Sequence, residues 1–376
     1  MDNIYLDISA TTPINKHVLE LIQNVEWNAF GNPSSIHKYG QKSRAIIERS
    51  RLQITKALNC DSSEIIFTGG GTESNNIAIQ GLLNHGDHVI TSDYEHPAVT
   101  NVISKLTKEN ITVTFIKPES NGSINPNKIK NAIKKNTRMV SIMAVNNELG
   151  TINPIKKIGE ICKQNNVIFH SDAVQMFGKM PMNINEYHID LLSISAHKFY
   201  GPKGVGALYI KNGTNLKPTI LGGGQEKNLR PGTENVSGIA GLGLAAELIS
   251  SNLKDKISQV KYLESVFIDI LNNENIDYSI NGEYRIPGVF SITFHGINAQ
   301  SLVINLDMEG IAISAGSACS SGTIKPSSIL LNIGLSEKSA NETVRISFSY
   351  IHNEEQIVFA TKTITRIIHR LKKIND

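Results

Sequence analysis

The chain has 376 residues, of which 40% are hydrophobic and 19% charged, with 37 basic against 34 acidic side chains. This length allows one large domain with a substantial core or two moderate domains, and it excludes a small scaffold held together by disulfides. The even charge balance argues against nucleic acid as the main partner.

The first residues, MDNIYLDISATTP, show no basic segment followed by an apolar one, and no stretch reaches the ~18 uninterrupted apolar residues of a membrane span. We therefore expect a cytoplasmic protein without membrane contact. The three cysteines, Cys60, Cys162 and Cys319, form neither a CxxC pair nor a disulfide framework. Each is expected to be a free thiol, and no metal site is predicted.

Short β-branched runs alternate with helical patterns between about residues 60 and 210. The runs are EIIF (64–67), HVIT (88–91), ITVTFI (111–116), MVSIMAV (139–145), VIFH (167–170), LLSIS (191–195) and GALYI (206–210). Such alternation predicts βαβ units, and hence an α/β fold with a mostly parallel seven-stranded sheet between helices.

The pattern changes after a helical stretch over about 233–275. The later segments are strand-like PGVFSITF (287–294), helical AQSLVINLDM (299–308), strand-like IAIS (311–314) and VRISFS (344–349), and a basic helix from about 353. They predict a smaller α+β domain. We place the large domain at 14–255 and the small domain at 1–13 and 256–376, with a cysteine-bearing loop at about 314–326.

Ligands of parallel α/β sheets bind beyond the carboxyl ends of the strands. The segments that follow the predicted strands are polar or glycine-rich: GGGTES (69–74), DYEHP (93–97), NNELGT (146–151), SDAVQ (171–175) and SAHKFYGPKG (195–204). In GGGTES, backbone N–H groups at a helix start and the Thr72 hydroxyl could hold a phosphate, although a plain helix cap explains the segment equally well. It is not a Walker loop, because no GK[ST] follows.

Lys198 directly follows an apolar strand. Lysines in loops are usually solvated, but one held near a carbonyl and partly desolvated can form a Schiff base. Asp172 ends another strand, where its carboxylate could keep a pyridinium nitrogen protonated. His96 precedes a proline and so could be a capping residue, or an imidazole that stacks on a cofactor ring and exchanges protons. A lysine, an aspartate and a phosphate site are together what pyridoxal phosphate requires.

The chain resembles the cysteine desulfurases of the NifS/IscS type, in the class V aminotransferase group of fold type I pyridoxal-phosphate enzymes. The matching segments occur in family order from residue 6 to 349: LDISATTP, GNPSSIHKYG, FTGGGTESNN, EHPAV, VNNELGT, HSDAVQ, SAHKFYGPKGVG, GGGQEKNLRPGTENV, SAGSACSSG and VRISFS. The resemblance therefore covers essentially the whole sequence.

The resemblance implies a pyridoxal 5'-phosphate cofactor joined to Lys198 as an aldimine. It further implies that Asp172 pairs with the pyridine nitrogen and that His96 stacks over the ring and takes part in catalysis. The implied phosphate ligands are Gly71, Thr72, Ser195 and His197.

Five further roles follow from the same resemblance. Gln175 would bond the phenolic oxygen of the cofactor, and Asn147 would lie near that oxygen and the substrate. Thr233 would complete the phosphate site of a partner subunit, which implies a homodimer. Arg345 would bind the substrate carboxylate through its planar fork. Cys319 would be the nucleophile that takes sulfur from L-cysteine as a persulfide, leaving L-alanine, for delivery to acceptor proteins of iron–sulfur cluster assembly, tRNA thiolation or cofactor biosynthesis.

Three departures from the family pattern stand out. Ile8 and Ser9 replace the usual Asn-Ala of LDNAATT, which puts fine substrate positioning in question. Lys227 and Asn228 stand where Arg-Gly is common, and Ala315 where serine is frequent. None of them is a residue with an implied chemical role.

Other functions on the same scaffold are a selenocysteine lyase or another class V pyridoxal-phosphate enzyme. An aminotransferase has no use for Cys319 on a loop of small residues, whereas a selenocysteine lyase would use the same cofactor chemistry. A non-catalytic sulfur-trafficking protein would not need Lys198, Asp172 and Cys319 together. Cys60 and Cys162 lie in helical patterns without such surroundings and are expected to be structural or incidental.

Overall fold

The structure is a computed structural model that describes residues 3–315 and 326–375. Its strands are β1 (Ile4–Tyr5), β2 (Ile65–Thr68), β3 (His88–Ser92), β4 (Thr112–Ile116), β5 (Thr137–Ser141), β6 (Ile168–Asp172), β7 (Leu191–Ser195), β8 (Gly206–Ile210), β9 (Tyr278–Asn281), β10 (Val289–Phe294), β11 (Ile311–Ala312), β12 (Ser314–Ala315) and β13 (Thr343–Ser347). Its helices are α1 (Lys16–Asn28), α2 (Lys38–Leu58), α3 (Gly71–Leu82), α4 (Pro97–Leu106), α5 (Pro126–Ala132), α6 (Ile155–Gln164), α7 (Val236–Ser250), α8 (Leu253–Asn273), α9 (Ala299–Met308), α10 (Ser328–Asn332), α11 (Glu337–Asn341) and α12 (Glu354–Asn375).

Seven strands form the large sheet in the order β2-β8-β7-β6-β5-β3-β4. The strand pairs from β4 to β7 are parallel, and β8 runs antiparallel to both of its neighbours. Strand β2 therefore runs in the same direction as β7. The carboxyl ends of β2, β3, β5, β6 and β7 consequently lie at one edge of the sheet, and the predicted mostly parallel seven-stranded sheet is confirmed.

Both faces of this sheet are buried under helices. On β2, Ile66 belongs to an apolar cluster with residues of α3 and α4. Its neighbours Ile65 and Phe67 belong to a second cluster with residues of α2, α6 and α7. Because successive side chains of a strand point to opposite faces, the continuous apolar runs seen in the sequence are those of strands covered on both sides.

A second sheet has the order β12-β13-β10-β9, with every pair antiparallel. Its apolar core includes residues of α8, α9 and α12 together with Ile4 and Leu6 from the start of the chain. The predicted strand IAIS is divided here. Strand β11 pairs with β1, whereas β12 pairs with β13, so the two halves of this run belong to different sheets.

No single helix of the described chain is long and apolar enough to cross a membrane. The bent pair α7 and α8 meets that test by length and composition alone.

Candidate active site

A cavity of about 260 Å³ lies at the carboxyl edge of the large sheet. It is lined by ten of the twelve predicted site residues: Gly71, Thr72, His96, Asn147, Asp172, Gln175, Ser195, His197, Lys198 and Arg345. Thr233 is exposed and is not part of this lining, and Cys319 lies outside the described residues. Segments far apart in sequence therefore meet in one place.

Lys198 ends a short 3-10 turn, Ala196–Lys198, that directly follows β7. Its Nζ donates to the carbonyl oxygens of Ser9 at 2.7 Å and Ala10 at 2.8 Å. The turn is tight, because a Cβ on Gly201 would lie 2.7 Å from the Cβ of Ala196. The unusual Ser9 thus contacts Lys198 through its backbone carbonyl, which any residue would supply.

Asp172 is the last residue of β6 and is only 6% exposed. Its carboxylate accepts hydrogen bonds from Asn75 Nδ2 at 2.7 Å and from the Val174 N–H at 3.0 Å. Asn75 lies on α3 and was not predicted, although it is part of the matched FTGGGTESNN segment. It fixes the carboxylate at the cavity wall.

Helix α3 begins beside Ser195. The segment GGGTES (69–74) forms this end of the cavity. A Cβ on Gly71 would lie 2.7 Å from Val174 Cγ2, so only glycine allows this close approach. The capping position is Gly70, which has no side chain to bond the helix start. A helix cap alone therefore explains GGGTES less well than a phosphate site does. The first N–H groups of α3 are suited to binding an anion.

His197 lies next to Lys198, and its Nδ1 is 3.1 Å from Thr11 Oγ1. Burial, reinforced by the charges of Lys198 and Lys203, lowers its pKa to about 4. The ring is therefore neutral at pH 7 and can donate one hydrogen bond without adding charge.

His96 is the N-cap residue of α4, where its Nδ1 accepts the Ala98 N–H at 3.1 Å. The proton of the neutral ring must then be on Nε2. His96 also lines the cavity, so the two sequence interpretations, capping and a place in the site, are both compatible with the structure.

Arg345 lies on β13, buried at 4% exposure. Its Nη2 donates to Asp7 Oδ1 at 2.7 Å and its Nη1 to the Asn147 carbonyl at 2.8 Å. Its Nε is buried and without a partner among the described residues. Asp7 was not predicted, because nothing in LDISATTP indicates which distant cation it meets.

Four buried polar atoms lie on residues that line the cavity and have no partner in the described structure. They are Ser9 Oγ, Asn75 Oδ1, Asn147 Oδ1 and Arg345 Nε. Nearly all buried polar groups of native proteins are hydrogen-bonded. Such a concentration of unbonded atoms is what a site for a polar ligand requires.

The two described cysteines lie outside this cavity lining. Burial, followed by the charges of Glu64 and Asp61, raises the pKa of Cys60 to about 12. Burial also raises the pKa of Cys162, which is 0% exposed. Both thiols stay protonated and unreactive near pH 7. Within residues 3–315 and 326–375, no group of three or more His, Cys, Asp or Glu side chains is arranged to hold a metal.

The family model described as aminotransferase class-V matches residues 4–358. The chain belongs to this family, whose members are pyridoxal-phosphate enzymes of fold type I.

The individual relatives are more specific. The cysteine desulfurase IscS of Dictyoglomus turgidum is 43% identical over 378 residues, covering 99% of this chain and 96% of the relative. A solved structure described as a NifS-like protein has a TM-score of 0.91 at 32% identity and covers 98% of this chain and 99% of that one. The structure of SspA in complex with cysteine has a TM-score of 0.82 at 38% identity, covering 92% and 98%. The predicted resemblance to NifS/IscS-type cysteine desulfurases is confirmed.

Proposed function

We propose that this protein is a cysteine desulfurase that converts L-cysteine to L-alanine and keeps the sulfur as a persulfide on Cys319. The observation that carries the proposal is the convergence of Lys198, Asp172 and the start of α3 on one cavity. An amine, a buried carboxylate and an anion site are three separate requirements of pyridoxal phosphate, and full-length similarity to cysteine desulfurases specifies the reaction.

The residues present fit this cofactor. Lys198 would hold it covalently, and Asp172, fixed by Asn75, would hold its ring nitrogen protonated. The phosphate would be bound by the N–H groups of Gly71 and Thr72 and by the side chains of Thr72, Ser195 and His197, and His96 would stack on the ring. When bound, the cofactor supplies an electron-poor ring that takes up the electron pair released at the substrate Cα.

The substrate carboxylate would bind Arg345. A guanidinium has five N–H donors, and two of those on Arg345 are used by Asp7 and Asn147. The unpartnered Nε–H and the remaining Nη hydrogens are sufficient for a carboxylate held through two hydrogen bonds. Asn147, whose Oδ1 is buried and unbonded, would accept a hydrogen bond from the ligand.

Proton transfer is assigned to Lys198. Its Nζ is held between the Ser9 and Ala10 carbonyls, at the wall of the cavity in which the substrate Cα would lie. Once its nitrogen is free, Lys198 can remove the α-proton and return a proton to the product. His96, with its ring proton on Nε2, is a second group that can exchange a proton there.

Sulfur transfer requires a deprotonated thiol at Cys319. The thiolate attacks the substrate sulfur, a sulfur–sulfur bond forms, and the bond between the substrate sulfur and Cβ breaks. The electron pair of the broken bond stays with the three-carbon unit, which gains a proton and leaves as L-alanine. No external oxidant is needed, because the oxidation that forms the persulfide is balanced by the reduction of the three-carbon unit to alanine.

We also propose a homodimer in which Thr233 serves the partner's phosphate site. Thr233 is exposed, and its loop is anchored by Glu226, which accepts two hydrogen bonds from buried Arg51 at 2.8 and 3.1 Å. A second support is a set of exposed apolar side chains at the end of α1, in the following loop and at the start of α2. They are Trp27 at 83%, Phe30 at 71%, Ile36 at 91% and Tyr39 at 58% exposure.

The rings of Phe30 and Tyr39 are 5.3 Å apart, and exposed apolar side chains that cluster in this way mark an interface. We propose a cytoplasmic location and, as sulfur acceptors, proteins of iron–sulfur cluster assembly, tRNA thiolation or cofactor biosynthesis.

The test uses the purified protein with pyridoxal phosphate, L-cysteine and a thiol reductant that releases the persulfide sulfur as sulfide, and a parallel assay supplies L-selenocysteine. Lys198→Ala should lose the borohydride-sensitive visible absorbance. Cys319→Ser should keep that absorbance and lose sulfide release, while Cys60→Ser, the matched cysteine control, should keep both. Undiminished sulfide release by Cys319→Ser would contradict the assigned nucleophile. Release of selenide with no release of sulfide would identify a selenocysteine lyase instead.

A further inference from the structure

Lys179 reaches the candidate active site through a chain of hydrogen bonds, although neither its position in the sequence nor the resemblance gave it a role. Its Nζ donates to Gln175 Oε1 at 2.6 Å. The Nε2 of Gln175 donates to the Ser9 carbonyl at 2.9 Å. The same carbonyl accepts from Lys198 Nζ at 2.7 Å. The Gln175 amide thus lies between two lysines.

These two partners allow a single orientation of the amide. An ammonium can only donate and a backbone carbonyl can only accept. A half-turn of the amide would set its NH₂ group against the Lys179 ammonium and its oxygen against the Ser9 carbonyl. Without Lys179 the oxygen would lose the donor that fixes it. With Lys179 in place, the second N–H of Nε2 has no described partner and is available in the cavity that Gln175 lines.

The position of Lys179 is costly for a lysine. Burial, followed by the nearby cations Lys198 and Arg345, lowers its pKa to about 7. The other titratable side chains that line the small apolar cavity beside it are Lys256, Tyr200 and Tyr350. A lysine on the surface would avoid both the desolvation and the repulsion. Its position beside Gln175 therefore points to a task in the site.

We infer that Lys179 is a positioning residue, which holds the Gln175 amide so that an N–H donor faces the phenolic oxygen of the cofactor bound at Lys198. The inference rests on the proposed function. The negative charge on this oxygen is more exposed in the deprotonated form of the bound cofactor than in the protonated form. An N–H donor at the oxygen therefore stabilises the deprotonated form. The absorbance of the bound cofactor should therefore titrate at a lower pH with Lys179 present than without it.

The experiment measures the pH midpoint of the visible absorbance change in protein loaded with pyridoxal phosphate. Lys179→Met should raise the midpoint by about one pH unit, the size expected when one hydrogen bond to a charged oxygen is lost. Lys179→Arg, which keeps a charged donor, should return it toward the wild-type value. Lys256→Met is the matched control. Lys256 lines the same small cavity, but it donates to the Leu248 and Ser251 carbonyls, so its loss should leave the midpoint unchanged.

A double variant tests the route through Gln175. If Lys179 acts by holding this amide, Lys179→Met should add no further shift to the midpoint of Gln175→Leu. An unchanged midpoint in folded Lys179→Met, or an equal added shift in the Gln175→Leu background, would overturn the inference.

Melting temperatures of the cofactor-free proteins report folding, and Lys179→Gln, with the same expected direction of shift, replaces Lys179→Met if that variant does not fold. Wild-type protein that gives no visible absorbance with the cofactor would refute the proposed function rather than this inference.

Discussion

Replacing Arg345 by lysine keeps the positive charge but removes the planar fork. The Arg345–Asp7 ion pair at 2.7 Å is buried, with the side chains 4% and 13% exposed, so a lysine can still neutralise Asp7. What it cannot do is contact Asp7, the Asn147 carbonyl and a substrate carboxylate together. One charge-assisted hydrogen bond to the substrate is lost, which costs about 1.5–3 kcal/mol. At 1.36 kcal/mol for each factor of ten, kcat/KM for L-cysteine should fall about 13- to 160-fold.

The assay is the steady-state rate of alanine formation across cysteine concentrations, with the visible absorbance of the bound cofactor as a check on loading. Most of the loss should appear in KM, because the carboxylate is bound equally in the ground state and the transition state. A kcat/KM within twofold of wild type in fully loaded Arg345→Lys would refute the assignment of Arg345 as the carboxylate site.

Three further predictions address the dimer, the loop anchor and a buried carboxyl. Mixing inactive Lys198→Ala with inactive Thr233→Asp should restore sulfide release, because one site of each mixed dimer would combine an intact lysine with an intact threonine from the partner; no recovery in verified mixed dimers would contradict a shared site. Glu226→Ala removes the buried carboxylate that pairs with Arg51 and accepts the Phe67 N–H, leaving Arg51 only the half-exposed Glu48 as an ionic partner, and should lower the free energy of unfolding by about 3–5 kcal/mol, measured by urea denaturation; a loss below 1 kcal/mol would contradict it. Burial, the largest effect, raises the pKa of Glu95 to about 8, so its contribution to stability is complete below about pH 4.5 and is lost as the pH rises through 8; Glu95→Gln should show a flatter dependence of stability on pH between 5 and 9, and an unchanged slope would argue against it.

Much of the large sheet could be predicted because its strands are uninterrupted apolar runs between polar turns. Strands β7 and β8 have the predicted bounds. The strand predicted at MVSIMAV (139–145) lies too far along the chain, because β5 spans Thr137–Ser141. The reason is that Met143 and Val145 are buried as walls of the cavity and not as part of a strand. An apolar pattern records burial but cannot distinguish a sheet from a binding site.

The residues that the sequence did not reveal act through other side chains. Asn75 fixes Asp172, Asp7 pairs with Arg345 across 338 positions, and Lys179 holds Gln175. Each depends on a contact that only the fold creates. The roles of Thr233 and Cys319 remain predictions from the resemblance.

Asn228, one of the departures from the family pattern, has a φ of +63°. Asparagine tolerates this left-handed conformation better than most residues, which explains how it can stand where glycine is common.

In the proposed reaction, sulfur moves from L-cysteine to Cys319. The most direct test is one turnover of loaded protein with L-cysteine and no added reductant, followed by mass spectrometry of the peptide that contains Cys319 and measurement of alanine. We expect a gain of one sulfur atom on Cys319, with one alanine formed per sulfur retained. Alanine formed without sulfur on Cys319, or sulfur found on Cys60 or Cys162 instead, would contradict it.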